Sequence, residues 1–135
     1  MNLNIKTIHL LSRILLVIYL VTLAYLCFGS FEHLPDVQKS ILGIPTDKVV
    51  HFFMFLPFPI IAFLAFDKFT DTARAAVLAA VLTFAAGLVL AAATEYIQGL
   101  TPHRSKDAMD FLADALGLLT GSVTVLIIDL AKITK

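Results

Sequence analysis

An all-α membrane protein, four transmembrane helices in an up-down bundle, is the architecture this sequence predicts. Three observations lead there. Of 135 residues 59% are hydrophobic and 15% charged, against about half and about a quarter in soluble domains. The apolar residues gather into four long runs, which a soluble core does not require. Short polar segments separate those runs, as connections between antiparallel neighbours do.

The first run spans about Ile14 to Phe31. Lys6 and Arg13 precede it as in a signal peptide, but no small-x-small cleavage pattern follows. Leu26-Cys27 lacks the small residue that precedes a lipobox cysteine, so the run reads as a retained helix. The second, Val49 to Phe66, carries Pro57 and Pro59. Proline removes helical hydrogen bonds, so this helix is expected to be kinked. The third, Ala75 to about Ile97, is rich in Ala and Leu, and the fourth, about Phe111 to Ile128, carries Gly117 and Gly121. At about 1.5 Å per residue, each run is roughly 27–35 Å long and crosses the hydrocarbon core.

Between the first two runs, Pro35, Gly43 and Pro45 punctuate the chain, and Asp36 to Leu42 reads as a short interfacial helix. Asp67 to Arg74 is a tight polar turn with Thr70 or Asp71 as N-cap of the third helix. Gln98 to Asp110 joins the last two runs. With no repeat, low-complexity tract or linker, residues 1–135 read as a single transmembrane domain. A formal net charge of zero gives no basic surface for nucleic acid. The one cysteine, Cys27, cannot form an intramolecular disulfide and reads as a small buried hydrophobe.

Lys6, Arg13, Lys68, Arg74, Lys132 and Lys135 fall on one side of the membrane, and Lys39, Lys48, Arg104 and Lys106 on the other. This bias favours cytoplasmic termini, with the first and third loops outside.

Up-down threading brings the start of helix two (Asp47, Lys48, His51), the end of helix three (Glu95, Gln98) and the start of helix four (Arg104, Asp107, Asp110, Asp114) to one face. Ionisable groups at membrane depth are costly and usually face a bundle interior or water-filled cavity. Asp47 and His51 share a helical face, as do Glu95 and Gln98. Asp107, Asp110 and Asp114 form a stripe that continues through Gly117-x-x-x-Gly121, a small-residue packing seam. The plainer readings are caps: Asp47 for helix two, and Ser105 for helix four with Asp107 favoured by the helix dipole. His103 and Lys106 read as solvated loop residues, and Gln98 has an interfacial reading.

Five acids face the cations Lys48, Arg104 and Lys106, leaving two negative charges if His51 and His103 are neutral. A dry site does not tolerate that excess. Protonation, a cationic His51, a cationic substrate group or a divalent cation would balance it. Carboxylates with one imidazole suit Mg²⁺ or Mn²⁺, although no tight ligand motif is present. Lys48 and Arg104 offer a phosphate site instead. Ser105 and Cys27 lack an evident paired base, so no nucleophile stands out.

Asp47-Lys48-x-x-His51-Phe52, Glu95-x-x-Gln98, Arg104-x-x-Asp107-x-x-Asp110 and Gly117-x-x-x-Gly121 together resemble the VanZ-like family of bacterial membrane proteins. The resemblance covers helices two to four, a little over half of the chain. It implies a small inner-membrane protein of cell-envelope biology whose family namesake is associated with teicoplanin resistance. The motif residues it carries over are Asp47, Lys48, His51, Glu95, Gln98, Arg104, Asp107 and Asp110. Asp114 stands where the family often has Asn, and His103 where Gly is frequent.

The resulting expectation is an outward-facing polar pocket for a lipid-linked or peptidoglycan-related ligand, or a glycopeptide, amid membrane lipids. Glu95, His51 and Asp110 are the candidate catalytic groups; Asp47, Lys48, Gln98, Arg104, Asp107 and Asp114 are the candidate ligand-binding ones. A binding protein without turnover would use the same pocket. A small transporter fits less well, because the acids cluster at one helix-end level and mid-helix positions are apolar.

Overall fold

A computed structural model describes residues 5–29, 40–66, 70–101 and 107–134. Among them, four helical stretches are long and apolar enough to cross a membrane: Lys6–Phe28, Thr46–Phe66, Ala73–Gln98 and Ala108–Ile133. The elements are α1 (Ile5–Phe28), β1 (Ser40–Ile41), β2 (Ile44–Pro45), α2 (Thr46–Phe55), α3 (Pro57–Phe66), α4 (Ala73–Gln98) and α5 (Ala108–Ile133). The second span is therefore two helices, divided at Leu56. Pro57 and Pro59, lacking N–H groups, follow immediately, and they deprive the carbonyls of Phe53 and Phe55 of their helical donors.

Helix α5 packs against α2, α3 and α4, while α1 lies mainly on α3. The central core contains Leu23, Cys27, Phe55, Ala91 and Leu118. Burial of Cys27 matches the small-hydrophobe reading. Val17, Val21, Leu82, Val89 and Ile127 point outward, each more than half exposed. In water this apolar exterior would be unfavourable; facing lipid tails it loses nothing, because the tails are as apolar as the side chains.

The glycine seam of α5 meets the divided span. A Cβ at Gly117 would collide with the Phe52 carbonyl oxygen and stand 3.1 Å from the Leu56 nitrogen. At Gly121 it would strike the Leu56 carbonyl oxygen and come within 3.1 Å of the Pro59 ring. Backbone thus lies against backbone, a proximity only glycine permits.

Polar contacts tie α1 to this second span. The Tyr19 hydroxyl donates to the Met54 carbonyl at 2.6 Å. Arg13 Nε donates to the Ala65 carbonyl and His9 Nδ1 lies against the Leu64 carbonyl, each at 3.2 Å. The Arg13 and His9 contacts engage carbonyls of the last turn of α3, which lack helical partners.

Two local expectations need correction. The interfacial helix expected over Asp36 to Leu42 is not helical in its described part, residues 40–42; residues 36–39 lie outside the described chain. Strands β1 and β2 instead pair antiparallel, Ser40 with Pro45 and Ile41 with Ile44. Their turn places Leu42 at φ 52° and Gly43 at φ 82°. Two consecutive positive φ values form the tight turn that matches strand twist, and glycine makes the second inexpensive. The cap of α4 is Thr72, whose hydroxyl accepts from Ala75 N at 3.3 Å, rather than Thr70 or Asp71. Thr70 is engaged elsewhere: its hydroxyl donates to Asp129 Oδ2 at 2.8 Å and its N–H to Oδ1 at 3.2 Å.

Candidate functional site

The start of α2, the end of α4 and the start of α5 meet at one end of the bundle. Asp107 organises this junction. Its Oδ1 accepts from Met109 N at 2.8 Å and caps α5. Its own N–H donates to Glu95 Oε2 at 3.3 Å, joining the two helices across their connection. Its Oδ2 accepts from Lys48 Nζ. The Lys48 ammonium, followed by the Met109 N–H, holds the Asp107 carboxyl below the usual carboxylate range. Ser105, read as the α5 cap, lies outside the described residues.

Lys48 is the hub of the outer layer. Its ammonium donates to Asp107, to Asp110 Oδ1 and, at 2.9 Å, to Asp47 Oδ2. The Lys48 and Asp110 side chains are 15% and 16% exposed, whereas that of Asp47 is 58% exposed. Asp47 does not cap α2, whose N-cap position is Pro45 with no side-chain cap. It supplies negative charge in the first helical turn, where the helix dipole favours it.

A deeper layer lies one turn further in. His51 Nδ1 meets Asp114 Oδ1 at 2.9 Å, and His51 Nε2 stands 3.7 Å from Asp110 Oδ2. Asp114 is fully buried and Glu95 and His51 nearly so. Thus Asp114, the departure from the resembled pattern, is the direct partner of His51. One oxygen on each deep acid, Glu95 Oε1 and Asp114 Oδ2, has no hydrogen-bond partner among the described residues.

Gln98 is buried beside this cluster but turns to α1, donating from Nε2 to the Cys27 carbonyl at 3.0 Å. It thereby ties the end of α4 to the end of α1. Arg104, together with His103 and Lys106, lies outside the described residues.

An apolar groove of about 510 Å³ runs along α2 and α5 and touches the cluster at Lys48. Val49, Phe53, Met109, Leu112 and Leu116 line it.

Sequence reasoning missed a third buried acid. Asp129, 1% exposed, sits at the far end of α5 and binds Thr70. The signal was there: Asp114, Gly121, Ser122, Val125 and Asp129 recur at helical spacing on the buried face. The fourth run was ended at Ile128, one residue too soon to include it.

The fold and this junction define a class: a multi-pass membrane protein with an ionisable cluster at one end of its helical bundle. Compared with known families, the sequence matches VanZ/LLP1 over residues 15–129. The chain belongs to that family. The match takes in most of α1, which the motif resemblance had left out. No curated protein and no solved structure matches the chain.

Proposed function

We propose that this chain is a bacterial inner-membrane, cell-envelope protein that recognises a lipid-linked or peptidoglycan-related ligand. The ligand's head engages the ionisable cluster on the outer face, and its apolar chain lies in the groove between α2 and α5. The observation that carries this reading is the dual position of Lys48: it lines the apolar groove and contacts three carboxylates. An amphiphile needs such a junction of apolar wall and polar end, and the groove volume falls within the range of about 300–1,000 Å³ typical of small-molecule sites. Arg104, between Gln98 and Asp110 in the sequence, would supply a bidentate grip on phosphate. The distribution of Lys and Arg supports cytoplasmic termini and an outward-facing cluster.

A catalytic version has one specific support, the pairing of His51 with Asp114 at 2.9 Å. A carboxylate in that position orients an imidazole for acid–base work. Glu95 and Asp110 would be the accompanying acids.

Native mass spectrometry of the detergent-solubilised protein tests the lipid reading. The probe is a polyprenyl-pyrophosphate-linked peptidoglycan precursor competing with phosphatidylethanolamine. Wild type should prefer the precursor by about tenfold or more, equivalent to about 1.4 kcal/mol. Leu116→Trp, which fills the groove, should remove that preference. Equal retention of both lipids by wild type would contradict the reading.

A further inference from the structure

The charges at the junction divide into two unequal layers. In the outer layer, Asp47, Asp107 and Asp110 form one group of closely spaced carboxylates, and the Lys48 ammonium already occupies its centre. In the deeper layer, His51, Glu95 and Asp114 form a second group, all three buried. One donor atom from each lies within 4.8 Å of the others. Among the described residues no lysine or arginine pairs with Glu95 or Asp114 in this layer, and the side-chain partner of Asp114 is His51.

Two carboxylates opposite one imidazole, away from water, carry charge that the surroundings do not solvate. The two oxygens without hydrogen-bond partners belong to this layer, Glu95 Oε1 and Asp114 Oδ2. Their side chains belong to residues 8% and 0% exposed. A buried oxygen without a donor is costly to fold around unless something positive meets it.

We infer that His51, Glu95 and Asp114 form a binding site for a divalent cation of the Mg²⁺/Mn²⁺ class. Two carboxylates and one imidazole supply hard oxygen donors with a single nitrogen, a set that Mn²⁺ accepts well. A six-coordinate ion with ligands at about 2.1 Å holds them about 3.0–4.2 Å apart. The observed spacing therefore requires only a small side-chain adjustment. The ion would compensate both carboxylates, and Asp110, which lies 3.7 Å from His51 Nε2, would border it. This inference goes beyond the lipid-ligand reading and does not depend on it.

The test is Mn²⁺ binding to the full-length protein, stripped with EDTA and held in nanodiscs without any envelope precursor. Electron paramagnetic resonance should report one tightly bound Mn²⁺ per chain, with electron spin-echo modulation from an imidazole nitrogen. Excess Mg²⁺ should displace it. Asp114→Asn and Glu95→Gln, which keep side-chain volume, should each weaken binding by at least about tenfold. Asp71→Asn, an exposed acid at the opposite end, should leave it unchanged. If the two variants do not fold, the nitrogen modulation of wild type decides alone. Absence of bound Mn²⁺, absence of nitrogen modulation, or wild-type affinity in folded Asp114→Asn and Glu95→Gln would each overturn the site. Because no precursor is present, that failure would leave the lipid reading standing, and failure of lipid competition would leave the metal site standing.

Discussion

Lys48→Met should destabilise the bundle by about 1–2 kcal/mol, more than loss of an exposed ion pair and less than loss of a fully buried one. Methionine keeps much of the length and the apolar stem of lysine, so the loss isolates the ammonium. Three carboxylates then face one another without the cation that joins them. Asp47 and Asp107 are exposed enough for water to compensate, and their share is small. Asp110, 16% exposed, has little such relief. The effect is a lowered melting temperature in detergent together with loss of precursor binding. Adding Asp110→Asn should recover part of the lost stability, because it removes the charge left unpaired. Such a rescue is the non-additivity expected of residues in one network. Melting of Lys48→Met at the wild-type temperature would show that the ion pairs contribute nothing to the fold.

Gly117→Leu should prevent assembly of the bundle, and Gly117→Ala should already weaken it by about 1–3 kcal/mol. The first atom added at Gly117 meets the backbone of Phe52 and Leu56, which cannot rotate aside as a side chain can. Gly87 offers an internal comparison. The atoms nearest a Cβ there belong to the Leu118 side chain rather than to backbone, so Gly87→Ala should be milder. Val123→Ala, on the exposed face of α5, should behave like wild type. Size-exclusion profiles and melting in detergent check all four variants. Equal behaviour of Gly117→Leu and wild type would contradict the close approach of α5 to α2 and α3.

The spans and the junction were legible because both rest on strong periodic signals. Long apolar runs have few alternative meanings. Asp107, Asp110, Asp114, Gly117 and Gly121 repeat at a spacing that only a helix turns into one face. What was illegible depends on competition between neighbours. Thr70, Asp71 and Thr72 are all plausible caps; Thr72 serves because Asp129, 59 positions away in sequence, engages Thr70. Gln98 looked like a member of the acidic cluster by position, yet its amide serves a carbonyl of α1, a contact no spacing rule shows. The hairpin at Leu42-Gly43 was hidden because two-residue strands carry almost no periodicity.

The central claim is that the cluster acts as one unit in envelope function. Its most direct measurement is binding of the polyprenyl-pyrophosphate-linked precursor, by native mass spectrometry, to wild type, Glu95→Gln, Asp110→Asn and the double variant at matched concentrations. The account predicts that wild type retains the precursor, that each single change abolishes retention while the protein stays folded, and that the double variant is no worse than either. Folded single variants that retain the precursor as well as wild type, or a wild type that does not retain it, would contradict it.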